Sequence, residues 1–509
     1  MHTNFYEDRY TLETYLNLMK WEGLLEEYDA TEEQLGQEIH HLTFDSQDVK
    51  PGTLFVVKGV HFKAQYLKDA IDRGAVCYIS ERRYTEEEIG PAANTCGVIL
   101  VRDIRLAMAS LANLFYDAPW RDLTLVGITG TKGKSTTTYF LRQILDRWLA
   151  KKKKKASAVV SGIETYDGVE CFESHLTTPE IMPLMKHFRN AVDSDMEYLT
   201  MEVSSQALKY NRVRGITFDY GVFLNIGEDH ISDNEHRDFD DYFESKLQLF
   251  SQCHTAIVNL NSDHIEEIGY CAEAADRVIT IGTIPQAVIS ADHIRRQDGY
   301  TKFMVTTPLW KKEFAMAIPG LFNVENALAA IAVATDLGVD AQTMRDALME
   351  AKVSGRMEVF ENKERDITVL VDYAHNRLSF ERLYTSAVAE YSGKKIVGIF
   401  GCPGGKAQAR RQELPEVAGK YATKVYVTEE DYGEEDMAMI NAEVAANVKK
   451  MGCAVEIVED REECIRKAIE TAEPETVILL TGKGRETRQK RGTRYVDVAS
   501  DVELVEKYL

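Results

Sequence analysis

A phosphate-binding loop is predicted at residues 127–137, which read GITGTKGKSTT. The segment follows an apolar strand pattern at 123–129 and opens a helical run, which is the context that such a loop requires. Its glycines allow backbone N–H groups to turn towards phosphate oxygens, and the start of a helix adds a favourable potential. The Lys134 ammonium can reach the β- and γ-phosphates, and the Ser135 hydroxyl can ligate Mg²⁺.

The glycines of this loop stand at 127 and 130, whereas the strict pattern would place one at 128, so a Gly/Thr-rich turn is the alternative. The strand–loop–helix context favours nucleotide binding. We expect ATP to bind at Gly130, Thr131, Lys132, Gly133, Lys134, Ser135 and Thr136, with Mg²⁺ as the accompanying cofactor.

Two further candidate ligands follow later strand patterns. Glu202 ends the apolar run at 198–204, and His230 comes after the run at 220–226. By residue type alone, Glu202 fits a metal ligand or a solvated strand end equally well, and a single histidine is more often structural. Open α/β sheets bind ligands at the carboxyl ends of their strands, so the positions favour a metal role for both residues.

The elements around these motifs predict an α/β protein of three domains. Short apolar runs alternate with helical patterns along the whole chain, which is typical of parallel strands buried on both faces. The series predicts an α/β domain at 1–118, a central parallel-sheet domain with the phosphate loop at 119–352, and a C-terminal Rossmann-like domain at 353–509. Regular helices are expected at 435–450 and 460–472.

Composition excludes several classes of protein. The 509 residues carry a formal charge of −22, which argues against nonspecific binding to nucleic acid or to an anionic membrane. No apolar run approaches the ~20 residues of a membrane span, and no basic-then-apolar signal opens the chain, so no membrane insertion is expected. Eight scattered cysteines form no CxxC pair, which favours a reducing cytoplasm over a zinc site or a disulfide framework.

The loop resembles G-x-T-G-T-x-G-K-[ST]-T of the Mur ligases, the ATP-dependent amide-forming enzymes of peptidoglycan precursor synthesis. Folylpolyglutamate and cyanophycin synthetases are more distant relatives of that family. Residues 177–180 (TTPE) resemble a segment of the MurE type, and residues 202–208 (EVSSQAL) with a later arginine resemble its E-V-S-S-H-A-L…R segment. Residues 45–52 resemble D-S-R-x-V-x-P-G of its uridine-nucleotide domain. The resemblance implies substrate contacts at Ser46, Thr177, Thr178, Ser204 and Arg212.

The resemblance also implies roles at the nucleotide. Lys246 matches the lysine that is carbamylated in most of the family, and the implied metal ligands are Ser135, Glu202, His230 and carbamylated Lys246. The implied catalytic residues are Lys134, Glu202, His230 and Lys246. Segments that resemble N-x-x-N-A, G-R-M-E and D-Y-A-H imply ATP contacts at Asn326, Arg356 and Asp372.

The chain departs from the pattern at both substrates. Gln47 replaces an arginine, Lys63-Ala64 stands where Asp-Gly is expected, and Gln206 replaces a histidine. The implied amino-acid-binding residues are Arg411, Glu430, Asp431, Gly482 and Glu486. The D-N-P-R arginine that grips the distal carboxylate of diaminopimelate is absent, because the aligned residues 430–433 read EDYG. An acidic pocket without that arginine favours L-lysine or another basic amino acid over meso-diaminopimelate, although an acidic solvated loop would read the same way.

The implied reaction adds that amino acid to the D-Glu of UDP-MurNAc-L-Ala-D-Glu through an acyl phosphate. Small-molecule substrates, a monomeric state and a cytoplasmic location are expected. Two alternatives remain open at this point: a related carboxylate–amine ligase of the folylpolyglutamate type, and a non-catalytic ATP-binding paralogue.

Overall fold

The computed structural model of the protein describes residues 10–59, 61–174, 176–229, 231 and 235–509. Its first 118 residues contain a five-stranded sheet, counted over the described part, in the order β1-β5-β4-β3-β2. The strands are β1 (Leu25–Asp29), β2 (His41–Thr43), β3 (Thr53–Val56), β4 (Ala75–Ser80) and β5 (Gly97–Val101). The helices are α1 (Leu12–Trp21), α2 (Glu32–Leu35), α3 (Ala64–Asp72), α4 (Glu86–Ile89) and α5 (Ile104–Phe115). Strands β2 to β5 are parallel, and β1 pairs antiparallel with β5.

The middle of the chain forms a larger sheet in the order β16-β15-β14-β13-β12-β11-β6-β10-β7-β8-β9. Its strands are β6 (Thr124–Thr129), β7 (Ala158–Val160), β8 (Glu164–Tyr166), β9 (Cys171–Glu173), β10 (Tyr198–Glu202), β11 (Phe218–Phe223), β12 (Cys253–Asn259), β13 (Arg277–Gly282), β14 (Ile289–Gln297), β15 (Tyr300–Thr306) and β16 (Lys311–Met316). Its helices are α6 (Lys134–Lys151), α7 (Ile181–Asp193), α8 (Ser205–Lys209), α9 (Phe239–Leu247), α10 (Ile265–Ala272), α11 (Asn323–Asp336) and α12 (Ala341–Glu350).

Strand β6 lies between β10 and β11 and is parallel to both. After β6 the chain adds β10 on one side of this strand and β11 on the other. Such a switch point opens a crevice at the carboxyl ends of the strands, where open α/β sheets bind ligands. Helices α6 and α11 pack together over one face, and the residues of α11 are almost all buried. Helices α5 and α7 pack on the core of the other face.

The last third of the chain forms a sheet in the order β17-β18-β22-β19-β20-β21, parallel except for β17, and a separate hairpin of β23 and β24. The strands are β17 (Glu358–Asn362), β18 (Ile367–Asp372), β19 (Lys395–Phe400), β20 (Lys424–Val427), β21 (Ala454–Ile457), β22 (Thr476–Thr481), β23 (Arg488–Arg491) and β24 (Arg494–Asp497). The helices are α13 (Arg377–Glu390), α14 (Arg410–Tyr421), α15 (Met437–Lys450), α16 (Arg461–Glu470) and α17 (Asp501–Tyr508). We call this part, residues 353–509, the C-terminal unit.

The α/β class predicted from the sequence is confirmed, and each predicted apolar run contains a strand within a few residues of its place. The antiparallel strands β14 to β16 were not predicted. Four of the nine β14 residues are exposed and polar, namely Asp292, His293, Arg295 and Gln297, so the strand lacks the continuous apolar run that marked the others. The joins predicted near residues 118 and 352 lie between the three sheets and stay predictions. No helix among the described residues is long and apolar enough to span a membrane.

Candidate active site

The phosphate loop joins β6 to α6 at the switch point of the middle sheet. Gly130 and Gly133 have φ angles of 146° and 91°, which residues other than glycine rarely adopt. A Cβ atom on Gly133 would lie 2.2 Å from the Oδ1 atom of Asn326, in the first turn of α11. The side chain of Asn326, a predicted ATP residue, therefore packs directly against the loop. Its Nδ2 donates to Asn323 Oδ1 at 2.8 Å.

The loop takes its shape from the segment after β11. The Asn225 side chain accepts from the Lys132 backbone N–H and donates to the Lys132 carbonyl, both at 2.9 Å. The Asn225 carbonyl accepts from the Thr131 N–H at 2.9 Å, and the Tyr242 hydroxyl donates to Thr131 Oγ1 at 3.0 Å. These bonds fix the backbone of the loop before any ligand is bound.

Three lysine side chains converge on this loop. Lys134 Nζ donates to the Gly130 carbonyl at 2.9 Å, and Lys246 Nζ donates to the same oxygen at 3.1 Å. Lys132 Nζ pairs with Asp229 at 3.0 Å. Burial lowers the pKa of Lys132 to about 8, although Asp229 opposes the shift, and burial also lowers the pKa of Lys134. Close-packed positive charge of this kind attracts an anion such as a polyphosphate.

Lys246 is 1% exposed, although it belongs to a helix that the sequence alone would place at the surface. Burial, followed by the neighbouring Lys134 charge, holds its pKa well below the usual value. A lowered pKa raises the fraction of lysine present as the neutral amine, which is the form that reacts as a nucleophile.

Glu202 at the end of β10 adjoins several predicted substrate residues. Its Oε1 accepts from the Gly162 N–H at 2.9 Å, and its carbonyl accepts from the Thr178 hydroxyl at 2.9 Å. The same hydroxyl accepts from the Ser204 N–H at 3.0 Å, and Ser204 caps α8. Arg212 donates to the Thr178 carbonyl at 3.2 Å. Four of the predicted residues are thus joined by hydrogen bonds.

The remaining substrate residues lie around this group. A Cβ on Gly162 would be 3.4 Å from Thr177 Oγ1 and 3.8 Å from Glu202 Oε1, so Thr177 lies beside the carboxylate. Ser46 is half-buried in the turn after β2. The predicted ligand His230 lies outside the described residues, and Ser135 and Thr136 are buried at the start of α6.

Lys58, which the sequence analysis missed, links the first sheet to this group. Its Nζ pairs with Glu180 at 2.7 Å, and Glu180 also pairs with Arg212 at 3.0 Å. The Lys58 ammonium lies 4.6 Å from the ring centroid of Phe44, two residues before Ser46. In the sequence, Lys58 is a single lysine just past the carboxyl end of β3, and nothing in the neighbouring residues distinguishes it from a surface lysine.

The C-terminal unit faces the loop through residues at the end of β18. Asp372 accepts from the Met357 and Ala374 N–H groups at 2.9 and 2.8 Å. Burial raises the pKa of Asp372, and the Arg356 charge opposes the shift. The Arg356 guanidinium stacks 4.9 Å from the Tyr373 ring centroid. Both predicted ATP residues therefore share one corner of the cleft.

His375 follows them as a half-buried imidazole. Its Nδ1 lies 2.7 Å from the Tyr373 carbonyl, which can only accept, so Nδ1 carries the proton and Nε2 the lone pair. Burial lowers the pKa of His375 to about 3, and the charges of Lys132 and Arg410 act in the same direction. The next residue, Asn376, donates to Asp229, which pairs with Lys132, so this end of β18 lies beside the phosphate loop.

The predicted amino-acid-binding acids lie together at the ends of β20 and β22. Asp431 accepts from Lys483 Nζ at 3.2 Å and from the Lys490 N–H at 2.8 Å. Glu486 pairs with Lys483 at 2.6 Å and accepts from the Tyr373 hydroxyl. Gly482 leaves room for Glu430, because a Cβ there would lie 2.6 Å from Glu430 Oε2.

Glu430 differs from these neighbours. It is 9% exposed, and within the described chain no hydrogen bond or ion pair reaches its carboxylate. Burial raises its pKa to about 7, even though Arg461, Arg410 and Lys483 pull the pKa down. An internal carboxylate in this state is ready to accept a cation from a ligand.

The two arginines at the start of α14 have different surroundings. Arg411, the predicted residue, is held by Glu435 through two hydrogen bonds of 2.7 Å, so its guanidinium is already occupied. Arg410, which the sequence analysis missed, makes no side-chain hydrogen bond to any described residue, and its charge acts on both Glu430 and His375. The pattern of residue types could not separate two adjacent arginines.

The sequence matches two family models: residues 128–334 match the Mur ligase middle domain, and residues 355–484 match the Mur ligase, glutamate ligase domain. The chain is 35% identical over 476 residues to the UDP-N-acetylmuramoyl-L-alanyl-D-glutamate–L-lysine ligase of Streptococcus thermophilus, covering 93% of this chain and 94% of that one. It is 35% identical over 463 residues to the corresponding 2,6-diaminopimelate ligase of Caldanaerobacter subterraneus, covering 90% and 92%.

Among solved structures, that of a UDP-N-acetylmuramoyl-L-alanyl-D-glutamate–2,6-diaminopimelate ligase has the same fold. It aligns with a TM-score of 0.67 at 21% identity, over 98% of this chain and 99% of that chain.

Proposed function

The chain belongs to the Mur ligase family, and we propose that it adds L-lysine, in preference to meso-diaminopimelate, to the D-glutamyl carboxylate of UDP-MurNAc-L-Ala-D-Glu. As a family member it is an ATP-dependent ligase that forms amide bonds. The proposal concerns the carboxylate substrate and the amino acid. The names of the two relatives agree on the carboxylate substrate but differ in the amino acid, which is L-lysine in one and 2,6-diaminopimelate in the other.

The chemistry begins with two anions that must meet. The γ-phosphoryl group of ATP passes to the substrate carboxylate, which gives ADP and an acyl phosphate. The amine of the incoming amino acid then attacks the acyl carbon, the C–O bond to phosphate breaks, and phosphate leaves. The ammonium groups of Lys132 and Lys134 neutralise the polyphosphate, and the fixed loop aligns it, so both charge and orientation favour the transfer.

The acceptor of the phosphoryl group would bind beside Glu202. Thr178, Ser204 and Arg212 form a connected polar group there. Arg212 and Lys58 share the single carboxylate of Glu180, so the pair keeps a net positive charge that suits a carboxylate or phosphate. Lys58 extends the positive surface towards the first sheet, where Ser46 lies. This continuity supports a long anionic substrate that reaches from the first sheet to the phosphate loop.

The residues present fit a magnesium ion. The Ser135 hydroxyl and the second oxygen of Glu202 are hard oxygen donors, and a carbamate on Lys246 would add another. The lowered pKa of Lys246 supports that modification, because only the neutral amine combines with CO₂. Bound Mg²⁺ would supply charge neutralisation at the phosphates.

The choice of amino acid rests on the unpaired carboxylate of Glu430. Lysine brings one carboxylate and a second ammonium, whereas diaminopimelate brings a second carboxylate as well. Arg410 offers a guanidinium for one carboxylate and Glu430 an acceptor for the extra ammonium, but Arg411 is occupied by Glu435. The distal carboxylate of diaminopimelate would therefore enter a buried acidic site without a partner.

The test is phosphate release with ATP, Mg²⁺ and UDP-MurNAc-L-Ala-D-Glu, with L-lysine, L-ornithine, meso-diaminopimelate or no amino acid. We expect lysine to stimulate release and to appear in an amide product. Glu430→Gln should lose most of this stimulation, while the matched change Glu434→Gln, on an exposed neighbour in the same loop, should keep it. Stimulation by diaminopimelate alone would overturn the acceptor assignment, and no stimulation by any amino acid would overturn the substrate assignment.

A further inference from the structure

Asn376 connects the C-terminal unit to the phosphate loop. Its Oδ1 accepts from the Ser379 N–H at 3.0 Å and so caps helix α13. Its Nδ2 donates to Asp229 Oδ2 at 2.7 Å, and the same carboxylate oxygen accepts from Lys132 Nζ at 3.0 Å. One carboxylate thus joins the N-cap residue of a helix in one unit to the nucleotide loop of another.

The opposite end of α13 is attached to the middle of the chain in a different way. Glu390 accepts from the Gly320 N–H at 2.7 Å, and Ser386 accepts from the Leu321 N–H at 3.2 Å. The Glu390 side chain is 1% exposed. Residues 320–321 immediately precede α11, the helix that places Asn326 against Gly133.

The two attachments are separated by the 14 residues of α13, or about 21 Å. The Glu390 carboxylate at one joint is buried, as expected of a permanent pivot. The joint at Asn376 includes Lys132 and Asp229, whose side chains keep 19% and 11% of their surface at the cleft. A polar joint that borders the nucleotide site can open and close at lower cost than a buried one.

We propose that Asn376 is a positioning residue for the amide-forming step: by donating to Asp229, it docks the C-terminal unit against the phosphate loop. This rests on the proposed function, in which an amine held by the C-terminal unit must reach a carboxylate activated at the loop. Docking matters because an acyl phosphate also reacts with water, and a closed cleft excludes it. Lys132 links docking to the nucleotide, because it draws Asp229 to the edge of the loop.

Two variants separate the hydrogen bond from the helix cap. Asn376→Asp and Asn376→Ser both keep a good N-cap residue. The aspartate replaces the donor N–H by an anion that faces Asp229, and the serine is too short to reach it. The exchange of Asn376→Asp with Asp229→Asn restores one amide–carboxylate hydrogen bond in the opposite sense. Asp340→Asn, which changes the cap of α12, is the matched control.

The readout is the ratio of ADP formed to amide formed. We expect about one for the wild type and for Asp340→Asn, and at least three for Asn376→Asp and Asn376→Ser. The KM for the amino acid should rise at least fivefold in both variants, with the KM for ATP within threefold of wild type. The exchange variant should return the ratio towards one.

Wild-type coupling in both single variants would overturn the proposal. An exchange variant with the ratio of Asn376→Asp would also overturn it, because the effect would then belong to the side chains and not to their hydrogen bond. A wild type that forms no amide with any amino acid would refute the proposed function instead. Docking itself is measured by small-angle X-ray scattering in the presence of ADP, where Asn376→Asp should have a larger radius of gyration than the wild type. Equal radii of gyration would overturn the proposal.

Discussion

Gly133→Ala tests how the phosphate loop is built. The residue has a φ of 91°, and conformations of this kind cost other residues about 1–3 kcal/mol. The new methyl group would also lie 2.2 Å from Asn326 Oδ1. Asn326 is buried and donates to Asn323, so moving it also breaks a hydrogen bond of about 1 kcal/mol. The combined cost at the loop is about 2–4 kcal/mol.

Gly393→Ala is the matched control, because Gly393 has a φ of 87° and no atom within 4 Å of the position of a Cβ. Both variants should lose stability in chemical denaturation, since both take on backbone strain. Only Gly133→Ala should lose ATP affinity, by at least tenfold in isothermal titration calorimetry, because about 1.4 kcal/mol corresponds to a factor of ten. Equal ATP affinities for the wild type and Gly133→Ala would refute this account of the loop.

Three further predictions concern single side chains. With ¹³C-labelled bicarbonate, the wild type should show a carbamate carbon resonance that disappears in Lys246→Arg, because a guanidinium does not lose its proton; a resonance in that variant would contradict the assignment. The pKa of Glu430 is raised from 4.5 to about 7 in the folded protein. Between these two pH values the folded protein binds the proton more tightly than the unfolded chain, so the ionisation of Glu430 lowers the free energy of unfolding as the pH rises from 4.5 to about 7. Glu430→Gln should therefore match the wild type near pH 4.5 and be more stable at pH 8, by at most about 3 kcal/mol; thermal unfolding at the two values decides, and no difference at pH 8 would count against it. Arg411→Lys should lower stability by about 1–3 kcal/mol through its bond to Glu435 and leave the KM for lysine within threefold, whereas Arg410→Lys should raise that KM at least fivefold at unchanged stability; the reverse result would return Arg411 to the pocket.

The strands and the phosphate loop could be predicted because their signals are local. Each buried strand is a short apolar run, and the loop is a contiguous set of glycines, lysines and hydroxyls between a strand and a helix. The strand-end position of Glu202 followed from the same reasoning, and the structure places Thr178, Ser204 and Arg212 around it. The remaining implied roles came from resemblance to a family.

Contacts between distant parts of the chain could not be predicted from local pattern. Asn376 and Asp229 are 147 positions apart, and nothing near either residue indicates the other. Arg410 and Arg411 are adjacent and chemically identical, and only the position of Glu435 across the fold decides which one is free. Lys58 was missed for the same reason, because its partner Glu180 lies far along the chain, at the N-cap of α7.

The central claim is that this chain joins L-lysine to the D-glutamyl carboxylate of UDP-MurNAc-L-Ala-D-Glu. Mass spectrometry of the product formed with ATP, Mg²⁺ and an equimolar mixture of L-lysine and meso-diaminopimelate tests it most directly. The account predicts the lysyl tripeptide as the main product, at least tenfold over the diaminopimelyl one. A product that contains mainly diaminopimelate, or no amide product while ATP is bound, would contradict it.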